Sequence, residues 1–322
     1  MGDFYKKICY VFPGQGSQSV GMGKNIYDKY EFTREIFDKG NEILEFDITK
    51  LMFNGPEEEL RKTINCQPAI LLASLAYFSV LNKQIPCSLA LGHSIGEYSA
   101  LVASDALSLE DAIKLVNIRA KLMSECIPKK TIKQDISHHM AAVLTDDLDL
   151  TYKKTIDSIN EACEVGSLCK GIVQIANINS SSQIIISGNE NAVIRAVEYL
   201  KNKNINKIVY LKVEGPFHSE LMRPAAEGME KALENIEINK PKPPDIANST
   251  GNFIYDPDKI KESLVEQICG TVKWKKSLEK AIQSGFKTFI ESGSGEKQYK
   301  LLNRDYKPNY EGLDILVTTA HM

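Results

Sequence analysis

Cys87-Ser88-Leu89-Ala90-Leu91-Gly92-His93-Ser94-Ile95-Gly96-Glu97-Tyr98-Ser99-Ala100-Leu101-Val102-Ala103 joins an apolar run to a helical pattern through a G-x-S-x-G pentapeptide. Cys87 to Leu91 reads as a buried strand, and Glu97 to Ala103 as the first turns of a helix. A serine on so sharp a strand-to-helix turn stands clear of the sheet, with a helix N-terminus behind it to stabilise negative charge. The flanking glycines leave the backbone free to turn where side chains would crowd the nucleophile. An ordinary glycine-rich turn competes with this reading. The strand and helix on the correct sides favour Ser94 as a nucleophile.

Outward from this turn, strand and helix patterns alternate. Ile8 to Phe12 is a first strand, running into the glycine-rich Pro13-Gly14-Gln15-Gly16-Ser17-Gln18. Helical patterns follow at residues 24–40, 57–64, 68–83 and 109–126. This order predicts a largely parallel α/β sheet. Residues 140–213 read differently: strand 140–144, helix 150–164, strands 172–177 and 183–187 joined by a turn at 179–182, helix 190–203, strand 205–213. That is β-α-β-β-α-β, a ferredoxin-like order. The expected fold is therefore α/β, with a large α/β-hydrolase-like subdomain (1–138 and 214–322) and a small ferredoxin-like subdomain (139–213) inserted in it. Beyond the insertion come a helix at 219–235, a proline-rich linker at 240–244 and a short strand ending at Asn248. Helices at 257–267 and 275–285 and a strand at 288–291 close the pattern.

The chain of 322 residues, 43% hydrophobic and 25% charged, has the composition of a globular protein large enough for a domain with an insertion. A net charge of -3 argues against a nucleic-acid binder. Lysines cluster at 129–133 and at Lys273, Lys275 and Lys276, runs that are usually solvated surface. Seven scattered cysteines with no C-x-x-C spacing point to free thiols in a reducing compartment and to no metal site. No apolar run of membrane-spanning length is read, and no signal-peptide core.

A serine nucleophile needs a base, most often histidine. Of the five histidines, His321 lies in the tail, His138 and His139 in a loop, and His93 beside the nucleophile, where its backbone matters more than its ring. His218 remains, in a loop just ahead of a helix, with a core or surface histidine as the competing reading.

The motifs resemble a known family when taken together. Val11-Phe12-Pro13-Gly14-Gln15-Gly16-Ser17-Gln18, Gln67-Pro68-Ala69, Gly92-His93-Ser94-Ile95-Gly96-Glu97, Ile118-Arg119-Ala120-Lys121 and Phe217-His218-Ser219-Glu220-Leu221-Met222 occur in family order and spacing. They are similar to the malonyl-CoA:acyl carrier protein transacylases of fatty-acid synthesis and to the acyltransferase domains of polyketide synthases, from Val11 to about Glu291.

The resemblance implies a ping-pong acyl transfer. Ser94 attacks the malonyl thioester, His218 takes its proton, and backbone N–H groups of Gln15 and Ile95 hold the oxyanion. Arg119 would pair with the free malonyl carboxylate, though an arginine on a helix is usually a surface residue. Gln67 resembles a pocket glutamine, with capping or surface roles competing. Phe217 would crowd an α-methyl group. The resemblance gives a backbone carbonyl near Gln267 to orient His218, making a Ser–His dyad, and Asn248 resembles an asparagine near the base. It implies no cofactor, malonyl-CoA and CoA as substrate and product, and an acidic acyl carrier protein bearing phosphopantetheine as partner. Lys273, Lys275 and Lys276 are then candidates for docking it. Neither nucleic acid nor membrane is expected as a partner, and a monomer is expected. The compartment would be cytoplasm in a bacterium, and plastid or mitochondrial matrix in a eukaryote after removal of a targeting peptide.

Three segments depart from the family. Ser137-His138-His139-Met140 replaces a glycine-rich turn and reads as a solvent-facing loop. Ser292-Gly293-Ser294-Gly295 replaces Gly-Pro-Gly, keeping flexibility but losing the proline. Cys269-Gly270-Thr271 stands where Asn-Pro is common, which leaves the backbone around Gln267 open. The rival activities are a serine esterase or thioesterase, which calls for a carboxylate beside His218, and an acyltransferase of a polyketide pathway. A carrier-binding scaffold with a dead site is the non-enzymatic alternative.

Overall fold

The computed structural model describes residues 7–127, 139–164 and 171–317. The 129–133 lysine cluster, His138, His321 and Cys169 fall outside the described residues. Ten strands are present among those described: β1 (Ile8–Phe12), β2 (Leu89–Gly92), β3 (Met140–Leu144), β4 (Val173–Ser180), β5 (Gln183–Gly188), β6 (Ile208–Tyr210), β7 (Asp245–Ile246), β8 (Phe253–Ile254), β9 (Thr288–Glu291) and β10 (Asp314–Val317). They form two sheets. The larger has the order β10-β9-β1-β2-β7-β8, parallel except for β8 against β7. The smaller, β4-β5-β3-β6, is antiparallel throughout.

The sequence of β1, Ile-Cys-Tyr-Val-Phe, is buried along its whole length because the parallel sheet is covered on both faces. Cys9 and Val11 face Trp274 and Leu278, whereas Ile8, Tyr10 and Phe12 face Ala100 and Ala103. The small sheet divides its faces in the same way. Met140, Ala142 and Ile185 join the main core, and Ala141, Val173 and Ile186 pack on the helix Glu190–Asn202. Each fully buried Val, Ile, Phe or Met side chain among these contributes about 1.5–3 kcal/mol. The two sheets therefore share one apolar seam, and the gap beside it becomes the cleft.

Several boundaries differ from the sequence expectation. The helix expected to open at Pro68 runs Thr63–Leu81, so Pro68 lies inside it. This helix reaches a mean hydropathy of 1.5 and is long and apolar enough to cross a membrane, contrary to the expectation that no run was. Most of it is buried, as a core helix must be. The pattern at 24–40 breaks into Lys24–Lys29 and Arg34–Leu44, where the Thr33 hydroxyl donates to Tyr30 O at 2.7 Å. A helix at Ile48–Asn54, capped by Asp47, was not foreseen, nor were β8, the helix Lys297–Asp305 and β10. Asn179 and Ser180 belong to β4, which leaves a two-residue turn at Ser181-Ser182.

Candidate active site

The turn between β2 and the helix Gly96–Ala103 needs its glycines for close approach. A β-carbon on Gly92 would lie 2.0 Å from the Gly96 carbonyl carbon, and one on Gly96 would lie 2.3 Å from Phe12 O. Ser94 sits at φ 54, a left-handed conformation rare for serine and held here by its surroundings. Asn248, just past β7, fixes the strained turn from both sides. Its Oδ1 accepts the Ser94 N–H at 2.8 Å and its Nδ2 donates to Gly92 O at 2.6 Å.

Ser94 Oγ lies 2.8 Å from His218 Nε2. His218, also left-handed at φ 57, donates from Nδ1 to the Gln267 carbonyl at 2.7 Å. A carbonyl can only accept, so the proton is on Nδ1 and the Nε2 lone pair faces the serine. Burial, the Arg119 guanidinium and His93 push the His218 pKa down to about 3 against the opposing Gln267 carbonyl, keeping the ring a neutral base. Gln174 of β4 holds the two loops that meet here, donating to Cys269 O at 2.9 Å and His218 O at 3.3 Å.

Arg119, on the helix Leu109–Glu125, is buried to 1% exposure beside the nucleophile. It donates to Gln67 Oε1 at 2.6 Å, Gln267 Oε1 at 2.9 Å and Ser94 Oγ at 3.3 Å. Every one of these acceptors is uncharged, and among the described residues Nε has no hydrogen-bond partner. Among the described residues no carboxylate ion-pairs with it. A buried cation without a counter-ion costs several kcal/mol, and the cost is offset once an anion enters.

Behind Ser94 lies Glu97, an acid in a first helical turn, where a carboxylate ordinarily complements the dipole. Its carboxyl accepts the Asn248 N–H at 3.2 Å and the Gln267 side-chain amide. Gln267 Nε2 also reaches Ser94 O at 3.0 Å. Burial, with Asp245 nearby, holds Glu97 well above the usual carboxylate range. Gln67, Asn248 and Gln267 thus form a buried frame around Ser94 and Arg119, and the surface role considered for Gln67 is excluded by its 1% exposure.

A cleft of about 410 Å³ opens over Ser94, His218 and Arg119, between the loops following β1 and β2 and the residues of β4 and β5. Gln15, Ile95 and Phe217 line it as well. Among the described residues, the backbone N–H groups of Gln15 and Ile95 donate to no protein acceptor. The ring of His93 has a larger part than the expectation that its backbone matters more would give it. Its half-buried ring donates to Asn179 Oδ1 at 3.0 Å and packs edge-on against Trp274, tying the elbow to β4. Burial pushes its pKa down to about 4.

The departures resolve as follows. His139 is buried, not solvent-facing, with Nδ1 donating to Gly188 O at 3.0 Å. The Ser292 and Ser294 hydroxyls donate to Ser74 O at 3.0 Å and Ser17 O at 3.1 Å, so hydrogen bonds fix the segment that proline fixes elsewhere. Thr271 and Val272 bond to Ile175 O and Ala176 O of β4 at 2.6 and 2.8 Å, which sets the backbone after Gln267. None of Lys273, Lys275 and Lys276 lines the cleft; Lys275 pairs with Glu279 and Lys276 donates to Thr250 O at 2.8 Å. The cations at the cleft besides Arg119 are Lys297, Lys300 and Arg304. Among the described residues no group of three or more His, Cys, Asp or Glu could hold a metal.

A family model described as "Acyl transferase domain" matches residues 9–294. The malonyl CoA-acyl carrier protein transacylase of Bacillus subtilis is 40% identical over 291 residues, covering 90% of this chain and 87% of that protein. The crystal structure of an acyl carrier protein S-malonyltransferase from Vibrio cholerae superposes with a TM-score of 0.86 at 32% identity, covering 97% of this chain and 96% of that one. A malonyl-transacylase in complex with its type II polyketide acyl carrier protein superposes with a TM-score of 0.85 at 31% identity, covering 97% and 94%.

Proposed function

The chain belongs to the acyl transferase domain family, and from that premise we propose that it moves a malonyl group from malonyl-CoA to the pantetheine thiol of acyl carrier protein, in fatty-acid biosynthesis. The observation that carries the choice of acyl group is Arg119, a buried guanidinium with no ion-pair partner among the described residues, hydrogen-bonded to Ser94 Oγ. It suits a substrate with a free carboxylate two carbons from the reacting carbonyl.

Ser94 Oγ attacks the thioester carbon while His218 Nε2 takes its proton. The Gln15 and Ile95 N–H groups, open donors, donate to the oxyanion. Collapse breaks the C–S bond, and the proton on Nε2 passes to the leaving CoA thiolate. In the second half, His218 takes a proton from the carrier's pantetheine thiol, whose sulfur attacks the malonyl ester; collapse returns the electron pair and the proton to Ser94 Oγ. The substrate assists its own reaction. Burial and then the Arg119 guanidinium depress His218, and a carboxylate on Arg119 offsets the second of these. A hydrolase calls for a carboxylate on His218, and the Gln267 carbonyl occupies that place. The finer architecture we read as an α/β-hydrolase-like body carrying β3 to β6 as a ferredoxin-like insertion. A cleft complete within one chain favours a working monomer.

The test is Arg119→Ala, with kcat/KM measured for malonyl-CoA and acetyl-CoA. The malonyl-to-acetyl ratio should fall by about a hundredfold or more, the scale of removing one partner from a buried ion pair. An unchanged ratio contradicts the carboxylate role.

A further inference from the structure

His218 lies at φ 57 in the turn that leads out of the small sheet, a conformation its neighbours must hold. Within that turn the Ser219 hydroxyl donates to Pro216 O at 2.5 Å and the Phe217 N–H to Gly215 O at 3.0 Å. These bonds shape the turn but do not join it to the carbonyl that orients the ring. That carbonyl, on Gln267, lies in the last turn of the helix Pro257–Cys269, where main-chain oxygens have no partner further along the helix. It is free to accept from Nδ1, yet the helix end alone does not set its distance from His218.

One side chain joins the two pieces. Gln174, half-buried near the start of β4, accepts the Glu220 N–H at 2.9 Å and donates to His218 O at 3.3 Å and Cys269 O at 2.9 Å. It thereby grips the peptide groups on both sides of Ser219 and the helix end just past Gln267. Beyond Cys269 the chain stays on the same strand. β4 is the outer strand of the small sheet. Along its open edge Thr271 Oγ1 donates to Ile175 O at 2.6 Å, the Val272 N–H to Ala176 O at 2.8 Å and the Ile178 N–H to Val272 O at 3.0 Å, with Asn177 and Val272 in parallel register. Both partners of the Nδ1–carbonyl bond are therefore spaced by one strand. We propose that Gln174 is a positioning residue for the base: it holds His218 Nε2 in line with Ser94 Oγ from outside the cleft, which it does not line. This rests on the reading of His218 as the base in the transfer above.

The test is the single-turnover rate of Ser94 malonylation by malonyl-CoA in wild type, Gln174→Met, His218→Ala and the double variant. Methionine fills the space of glutamine without its donor or its strong acceptor. Gln174→Met should lower the maximal rate about tenfold or more through lost attack geometry, with the half-saturating concentration little changed. In the His218→Ala background the same substitution should change the residual rate by less than about twofold, because the group it positions is gone. Gln174→Glu keeps the size and the acceptor for the Glu220 N–H but sets a carboxylate oxygen against two carbonyls. It should lose rate as the methionine variant does, and it serves in its place if that variant does not fold. Equal fold-losses with and without His218, a change in half-saturation alone, or no loss overturn the proposal. A His218→Ala protein that acylates Ser94 at the wild-type rate removes the base, and the role of Gln174 with it. Dependence on His218 without dependence on Gln174 removes the positioning role alone.

Discussion

At the scale of the residue, Ser94 and His218 are placed by strain that their neighbours hold. Both sit at positive φ, and both are tied through Gln267, whose carbonyl orients the imidazole and whose side chain reaches Ser94 O, Arg119 and Glu97. Glu97 is the keystone of that frame because both its oxygens accept from groups that hold the nucleophile. Glu97→Gln sets an amide donor against one of two buried donors, at a cost of about 1–3 kcal/mol. The expected result is a kcat lowered about tenfold or more per folded molecule, with KM little moved, by steady-state kinetics normalised to titrated active sites. An unchanged kcat with only a lower Tm would make Glu97 a packing residue. The Ser94–His218 pair proposed as nucleophile and base is legible in the sequence because each residue sits in a short motif, and the fold brings the two to 2.8 Å. Glu97 is not, although it adjoins the same motif. Its role comes from Asn248 and Gln267, more than a hundred residues away, and no local pattern encodes those contacts.

At the scale of the element, β9 and the helix that follows it show what periodicity misses. Glu291 ends β9 and accepts the Tyr299 N–H at 2.8 Å, capping the first turn of the helix Lys297–Asp305 across the serine-rich turn. Burial pushes its carboxyl up to about 7, against the pull of those backbone N–H groups. A folded carboxyl that binds its proton more tightly than the unfolded one adds most stability below the unfolded value, and that contribution declines as pH rises toward 7. Glu291→Gln keeps an acceptor without the charge. Its stability relative to wild type should therefore improve between about pH 4.5 and 7, by on the order of 2 kcal/mol, and stay level above. Urea unfolding at pH 5 and pH 8 checks this; a difference independent of pH contradicts it. The helix itself escaped the sequence reading because its apolar positions are few and Lys297, Lys300 and Arg304 make its cleft-facing side polar. The helix Thr63–Leu81 escaped in part for the opposite reason, being apolar on nearly every face, so that no stripe marks its start.

At the scale of the whole molecule, the alternation of strand and helix foretold the parallel sheet, and the β-α-β-β-α-β order the second, antiparallel one. What it did not foretell is how tightly the two are joined. Gln174 spans to the His218 and Cys269 carbonyls, His93 to Asn179, and Val272 to Ala176, so the cleft has walls from both sheets held at fixed spacing. These contacts are long-range and polar, and composition is silent about them. The proposed transfer needs such walls, because the ester has to meet a thiol before water. The most direct measurement is rapid quench of the protein with malonyl-CoA, followed by peptide mass spectrometry. A malonyl ester on Ser94 should form at one per chain, persist in buffer, and discharge quantitatively when pantetheinylated carrier protein is added. An adduct elsewhere, or an ester on Ser94 that water removes as fast as the carrier does, would contradict transfer through this serine.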